Sequence, residues 1–471
     1  MIADLKPYAE YKESGSPWLG RMPAHWNLPR LGSVLRERGE TNEQKQVTQV
    51  LSVLKDIGVI RYEDKGNIGN KKSDDIGRYK IVRLDDIVVN CMNVIIGSVG
   101  RSRYVGCLSP VYYVLTRRFD ADDPRYLAAI FSAKQFQLSL VRIGNGILSH
   151  RMRIPMELLK CEPFPVPSPA EQAAIVRFLD WANARLERAI RAKRKVIALL
   201  NEQKQAIIHR AVTRGLDPSV PLKPSGVPRL ADIPQHWEAW PINRCARVGN
   251  GSTPSRGKPG YWNNGTYPWL NSSQVNRGFI DSADQFVTPT ALRECHLPRV
   301  PAGSVLVAIT GQGKTRGTAA LLGVEATINQ HIAFITPRTN VVSPEFLHLA
   351  FVAAYQSLRT LSDDSGSTKG ALTCEDLKRF KVVLPPLLEQ TVLVEYMRAE
   401  TQTLNSAISR LKREVELLRE YRTRLVADVV TGKLDVREAA ARLPEEAAAD
   451  IAEDDTDLSD ETESVDEEAT I

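Results

Sequence analysis

A chain that repeats itself at a fixed offset must fold into two similar frames, and this one does so in two places. Ser14-Gly15-Ser16-Pro17-Trp18-Leu19-Gly20-Arg21-Met22-Pro23-Ala24-His25-Trp26 returns 211 positions later as Ser225-Gly226-Val227-Pro228-Arg229-Leu230-Ala231-Asp232-Ile233-Pro234-Gln235-His236-Trp237. Residues 166–217 return 218 positions later as 384–435 without a gap. Pro167, Glu171, Gln172, Leu186, Ala189, Ile190, Leu199, Leu200, Glu202, Thr213, Leu216 and Asp217 all have identical partners there. The segments framed by these blocks, 27–165 and 238–383, barely resemble each other. A framework kept alike around contents that differ predicts a scaffold that presents two distinct recognition surfaces.

The block beginning at residue 166 reads as one long helix. Ser168-Pro169-Ala170-Glu171 supplies a capping Ser, a Pro at the first helical position and a Glu three residues after the cap, and Gly215 with Pro218 supplies the stop. Ile175, Leu179, Ala182, Leu186, Ala189, Val196, Leu200 and Ile207 advance in steps of three and four, as a coiled-coil seam does, with Lys193 and Gln203 interrupting it. In the second copy Met397, Leu404, Leu411, Leu418 and Leu425 recur every seven residues, Gly432 closes the run, and Pro386 stands where the capping Ser was. Helices of about 45 residues measure roughly 65 Å, and a stripe that long has to be covered. Pairing of the two helices with each other, antiparallel and about a pseudo-two-fold axis, covers both. Separate packing of each on its own globular segment is the alternative.

The framed segments read as mixed α and β. Asp86-Ile87-Val88-Val89-Asn90 and Gly303-Ser304-Val305-Leu306-Val307-Ala308-Ile309 are β-rich runs followed by Gly-rich turns, and 125–131 and 345–351 begin equivalent helices. The expected class is α+β: two mixed α/β domains separated by two long antiparallel coiled-coil helices. The expected division is 1–165, helical 166–217, 218–383, helical 384–440, and a tail of 441–471.

Six scattered cysteines with no C-x-x-C pair argue against structural zinc and a disulfide framework, and fit a reducing cytoplasm. There is neither an apolar run of membrane-spanning length nor an apolar leader after Met1. From Glu445 onward lie 13 Asp or Glu and no Lys or Arg, a composition that predicts disorder, whereas residues 1–444 carry 62 basic against 43 acidic side chains. That surplus suits a polyanion, since neutralised phosphates release counterions; a well-solvated basic surface is the plainer reading, and a tail competing for the DNA groove a secondary one.

Residues 308–315, Ala-Ile-Thr-Gly-Gln-Gly-Lys-Thr, follow a strand-like run and satisfy a relaxed phosphate-loop pattern, but 316–321 do not clearly open a helix. A Gly-rich loop that carries cations fits both copies better: Arg101 and Arg103 in the first, Lys314 and Arg316 in the second, where Gln312 is a further candidate DNA contact. Backbone amides with Lys or Arg hold DNA phosphates, and a long Arg reaches a guanine edge. His150, Arg151 and Arg153 in one copy, and Thr368 with Lys369 in the other, sit at matching points before each long helix. Asn271, Ser272 and Gln274 add polar groups, the amides being able to pair with adenine. Nucleophile-elbow, H-E-x-x-H and amine-methylation motifs are lacking. His25-Trp26 and His236-Trp237 read as anchors that pin each segment to the helical frame.

With these residues in view the chain resembles the specificity subunits of type I restriction-modification enzymes. The resemblance rests on Tyr11-Lys12-x-Ser14-Gly15-x-x-Trp18-Leu19-Gly20-x-x-Pro23-x-His25-Trp26, on Leu384-Pro385-Pro386-x-x-Glu389-Gln390 heading a long helix, and on Thr431-Gly432-Lys433-Leu434-Asp435. Arg229-Leu230-Ala231 departs from Trp-Leu-Gly in the second copy, and the acidic tail is an addition. The resemblance implies two target-recognition domains, each reading half of a bipartite, asymmetric sequence in double-stranded DNA, and helices that set the unread spacer. It also implies two methyltransferase subunits carrying S-adenosylmethionine, restriction and translocase subunits using ATP and magnesium, and no cofactor or catalytic group on this chain. The rival readings are a nucleotide-binding protein using Lys314 and Thr315, and a coiled-coil adaptor that never touches DNA.

Overall fold

The computed structural model describes residues 5–66, 71–146, 152–227, 230, 232–311, 314–363 and 370–444. Two compact units emerge, one of residues 1–193 with 413–471 and one of 194–412. Two long helices, Pro169–Arg214 and Leu387–Val430, each contribute one end to each unit.

In the first unit the central sheet has four antiparallel strands, ordered Leu35–Glu37, Tyr112–Arg117, Ile87–Asn90 and Val99–Arg101. Helix Pro124–Ser132 starts where the Asp123 side chain accepts from the Arg125 N–H and Pro124 fixes the first helical turn. It buries Tyr126, Leu127, Ile130 and Phe131. Those side chains share one core with Trp26, Phe164, Ile175, Phe178 and Leu425. The hairpin of Leu51–Leu54 with Gly58–Arg61, and the antiparallel pair of Lys80–Val82 with Gly106–Leu108, enclose a smaller apolar cluster around Val53, Val82 and Leu108.

In the second unit Ala246–Asn250, Ile332–Pro337, Val305–Ala308 and Ala319–Leu322 follow the same order and sense. A fifth strand, Phe279–Ile280, adds in parallel at the edge. Helix Pro344–Ala353, capped by Ser343, occupies the place of Pro124–Ser132. Each unit is therefore a mixed α/β body of one core design, which agrees with the expectation despite the divergent sequences. A separate three-stranded sheet joins Gln285–Val287, Tyr267–Leu270 and Thr327–Ile328.

The long helices run antiparallel within each unit. In the first, Glu187 pairs with Arg422 and Lys193 with Glu414 at 2.6 Å, the partner's number falling as the first rises. In the second, Lys204 Nζ donates to Asn405 Oδ1 at 2.7 Å while Gly215 lies against Glu389. The first helix begins as its sequence predicts, with Ser168 Oγ accepting from the Glu171 N–H. Of the expected seam, Ile175, Leu179, Leu186, Met397 and Leu425 are buried, and Leu200, Leu404, Leu411 and Leu418 half-buried. Ile190, Ile208, Ile408 and Val415 complete it. Val196 is 44% exposed and does not belong to it. The polar interruptions are Lys193 and Lys204 rather than Gln203, because a seam position needs a chain that can reach across to a partner.

The phosphate-loop reading is overturned by topology. The Gly-rich loop joins Val305–Ala308 to Ala319–Leu322, which pair antiparallel as a hairpin. A phosphate loop requires a helix N-terminus directly after it, and here a strand follows.

Candidate nucleic-acid interface

The repeated residues form one latch, built once in each unit. Glu171, in the first turn of its helix, accepts from Trp26 Nε1 at 3.0 Å and from the Tyr8 hydroxyl at 2.7 Å, and its other oxygen lies 2.8 Å from His25 Nε2. Burial, then the bond to Glu171, pushes the Tyr8 hydroxyl well above its ordinary pKa. Glu389 occupies the same position in the second unit and lies 2.8 Å from His236 Nε2. Trp237 is as buried as Trp26, yet its Nε1 has no hydrogen-bond partner.

The neighbouring amide does a second job. Gln172 accepts from the backbone N–H of Asp123 at 2.8 Å and donates to Asp122 Oδ1 and the Pro167 carbonyl. Gln390 accepts from the N–H of Ser343 at 2.8 Å and donates to the Val341 and Pro385 carbonyls. Asp123 and Ser343 are the caps of equivalent helices, so each Glu-Gln pair holds a Pro-x-His-Trp motif with one residue and an α/β body with the next.

Glycine closes each latch. Gly215 and Gly432 end the long helices at φ +70 and +75, and a Cβ at Gly432 would stand 2.3 Å from Pro23 Cδ and 3.2 Å from the Trp26 ring. At Gly215 it would meet Trp237 at 3.3 Å. Only glycine meets both demands cheaply. In the first unit the stretch after Gly432 also pairs with the chain's early residues, through an antiparallel bridge of Lys6 and Asp435 and the cation of Arg437 over the Tyr8 ring.

Among the described residues, the cations and amides singled out in the sequence take different local roles. Arg101 donates to Asp85 at 2.6 Å. Burial pushes the Asp180 carboxyl up from its ordinary value, and Arg125, Arg101 and Arg103 pull against that, so both loop arginines act toward the first long helix. Arg153 is exposed, its backbone paired with Asn145. Lys314 is exposed and its carbonyl accepts from the Tyr355 hydroxyl at 2.9 Å.

Two side chains correct the sequence reading. Arg316 is 8% exposed and bound to the Gly370 carbonyl and Asp363, so it braces the loop instead of projecting from it. Gln274 is 3% exposed, and with Asn271 it forms the capping box of the turn Ser272–Arg277. Gln274 Oε1 accepts from the Asn271 N–H, and Asn271 Oδ1 from the Ser273 N–H and hydroxyl, so both amide oxygens are engaged within the turn; Ser272 is half-buried in it. His150, Arg151, Gln312, Thr368 and Lys369 lie outside the described residues. Among the described residues no cluster of three or more His, Cys, Asp or Glu could hold a metal ion, and no helix is long and apolar enough to cross a membrane.

Residues 234–417 match the family described as the type I restriction modification DNA specificity domain. The specificity subunit of the type I restriction enzyme EcoR124I/EcoR124II from Escherichia coli is 28% identical over 168 residues, 36% of this chain and 41% of that protein. The putative type I restriction enzyme MjaX specificity subunit from Methanocaldococcus jannaschii is 21% identical over 89% of this chain and 96% of its own length. A chain from a solved structure of the type I R-M system, concerned with complex assembly and conformational transition, shares the fold. It has a TM-score of 0.56 and 17% identity, covering 88% of this chain and 99% of that one. The fold and its doubled latch define a class, proteins in which two α/β bodies of one core design are each latched to a pair of long antiparallel helices. Residues 234–417 are thus similar to that specificity domain, and the chain as a whole shares its fold with a chain of a type I R-M system.

Proposed function

We propose that this chain is the DNA-reading subunit of a type I restriction-modification complex. It recognises a bipartite, asymmetric target in double-stranded DNA, each α/β body reading one half while the antiparallel helices set the unread spacer. The observation that carries this is the repetition of the Glu-Gln latch around two bodies of like fold and unlike surface. Such conservation of the frame is expected where two equivalent partners dock on a common scaffold. Those partners are two methyltransferase subunits, joined by restriction and translocase subunits. S-adenosylmethionine, ATP and magnesium belong to them, and this chain is non-catalytic and cytoplasmic. The excess of cations over residues 1–444 supports the choice of partner, since it favours approach to a polyanion.

The test is methylome sequencing of a host carrying this chain with its methyltransferase partner. Exchange of residues 27–165 for the corresponding segment of another subunit should change one half of the methylated target and leave the other half intact. A change in both halves, or in neither, contradicts the proposal. Lysine and threonine at 314 and 315 offer a control: Lys314→Ala should leave ATP binding by the isolated chain at background.

A further inference from the structure

In the second unit four side chains join into one hydrogen-bonded chain at the end of the central sheet. Thr253 Oγ1 donates to Gln330 Oε1 at 2.6 Å, Gln330 Nε2 lies 3.1 Å from His331 Nε2, and His331 Nδ1 lies 2.7 Å from Thr310 Oγ1. The first bond orients the amide. Gln330 Nε2 must then donate to His331 Nε2, which places the ring proton on Nδ1, facing Thr310. Gln330 and Thr253 are both exposed, whereas His331 and Thr310 lie half-buried behind them.

The backbone under this chain is held from several directions. The Trp269 indole donates to the Ser252 carbonyl at 3.3 Å and the Trp262 indole to the Ser255 carbonyl at 3.2 Å. Ser252 N–H donates to the Ile328 carbonyl at 3.1 Å, and Asn329 Oδ1 accepts from the His331 N–H at 3.0 Å. Gly251 passes so close to Ile328 that a Cβ would stand 1.8 Å from its carbonyl oxygen. Arg256 stacks 3.7 Å from the Trp262 ring centre, at the edge of the same loop. An exposed amide fixed this firmly is unusual, because an exposed Gln ordinarily keeps its rotamer freedom.

We infer that Gln330 reads an adenine through the major groove, in the half of the target bound by the second unit. This rests on the DNA-reading function proposed above. A side-chain amide has two acceptor positions and two donor hydrogens. Thr253 and His331 use one of each, leaving one lone pair on Oε1 and one hydrogen on Nε2. That pair is the complement of the adenine N6 amine and N7, which amide side chains read bidentately. Thr253 and His331 are positioning residues, and they remove in advance the ordering cost that a free Gln would meet on binding.

The experiment compares methylomes of hosts carrying the full chain with its methyltransferase partner. Gln330→Ala should relax one adenine position of one half-site, lowering discrimination there about ten- to a hundred-fold, with the other half and the spacer unchanged. Gln330→Glu should shift that position toward cytosine, whose N4 amine a carboxylate accepts. Thr253→Val should relax the same position partially and Thr253→Ser should restore it, which a merely structural threonine would not do. An unaltered motif in Gln330→Ala and Gln330→Glu overturns the inference and leaves the DNA-reading function standing. If the unsubstituted chain directs no sequence-specific methylation, that function falls and the inference with it.

Discussion

Glu171 and Glu389 hold the same place in the repeat but not the same load. Glu171 satisfies a buried indole and a buried phenol, while Glu389 meets only the half-exposed His236. Leaving a buried donor unpaired costs about 1–3 kcal/mol per group. Glu171→Ala should therefore destabilise the first unit by about 2–5 kcal/mol, and Glu389→Ala the second by about 1 kcal/mol or less, as chemical denaturation would measure. Equal losses would contradict the asymmetry. Asp435 gives the first unit an acid sensitivity. Burial works to raise its carboxyl pKa, but hydrogen bonds from Arg437 outweigh that and hold it below the ordinary value. A depressed carboxylate contributes stability that is fully present above its unfolded pKa, about 4, and is lost as the pH falls through the lower folded value. Asp435→Asn should remove that part of the acid transition. The sequence disclosed Glu171, Gln172 and their partners by identity across the repeat. Which donor each accepts from was not legible, because the partners lie as far as 163 residues away.

Among the elements, the long helices were the most readable, since heptad spacing and capping residues are local signals. Their failures are local too. Val196 fits the spacing yet is exposed, because the seam drifts across the helix surface and only the facing partner fixes its line. The recognition surfaces were legible as loops and not as contacts. Arg316 and Gln274 look like surface cations and amides in a linear reading, and only the folded loop reveals that they bond to backbone. Gln330 escaped attention for the converse reason, since nothing in Asn329-Gln330-His331 announces that Thr253 will orient it. Lys204 illustrates the cost of a polar seam. Burial, then the neighbouring Lys412 charge, lowers its pKa. Lys204→Met should raise stability by about 1 kcal/mol. Because a depressed lysine is disfavoured most while it stays charged, the gain should be present at neutral pH and shrink as the pH rises through the folded pKa. Thermal unfolding at neutral and alkaline pH would measure both.

For the whole molecule, the bridge of Lys6 with Asp435 carries a consequence for how the chain is strung. In the second unit the helix ending at Arg214 runs into its Pro-x-His-Trp motif through peptide bonds. In the first unit the matching step, from Gly432 to the motif at Pro23, is made by hydrogen bonds and an arginine–tyrosine contact alone. A covalent link at that step is thus dispensable to the latch. Cutting the chain at its counterpart, after Asp217, should yield two fragments that need each other, since each unit draws residues from both. Co-expressed, fragments 1–217 and 218–471 should purify as a one-to-one complex with the melting behaviour of the intact chain, and each alone should fail to fold cooperatively. Chain continuity at that step would then be a matter of gene order, and each latch would hold whether its two sides are joined by peptide bonds or by contacts alone.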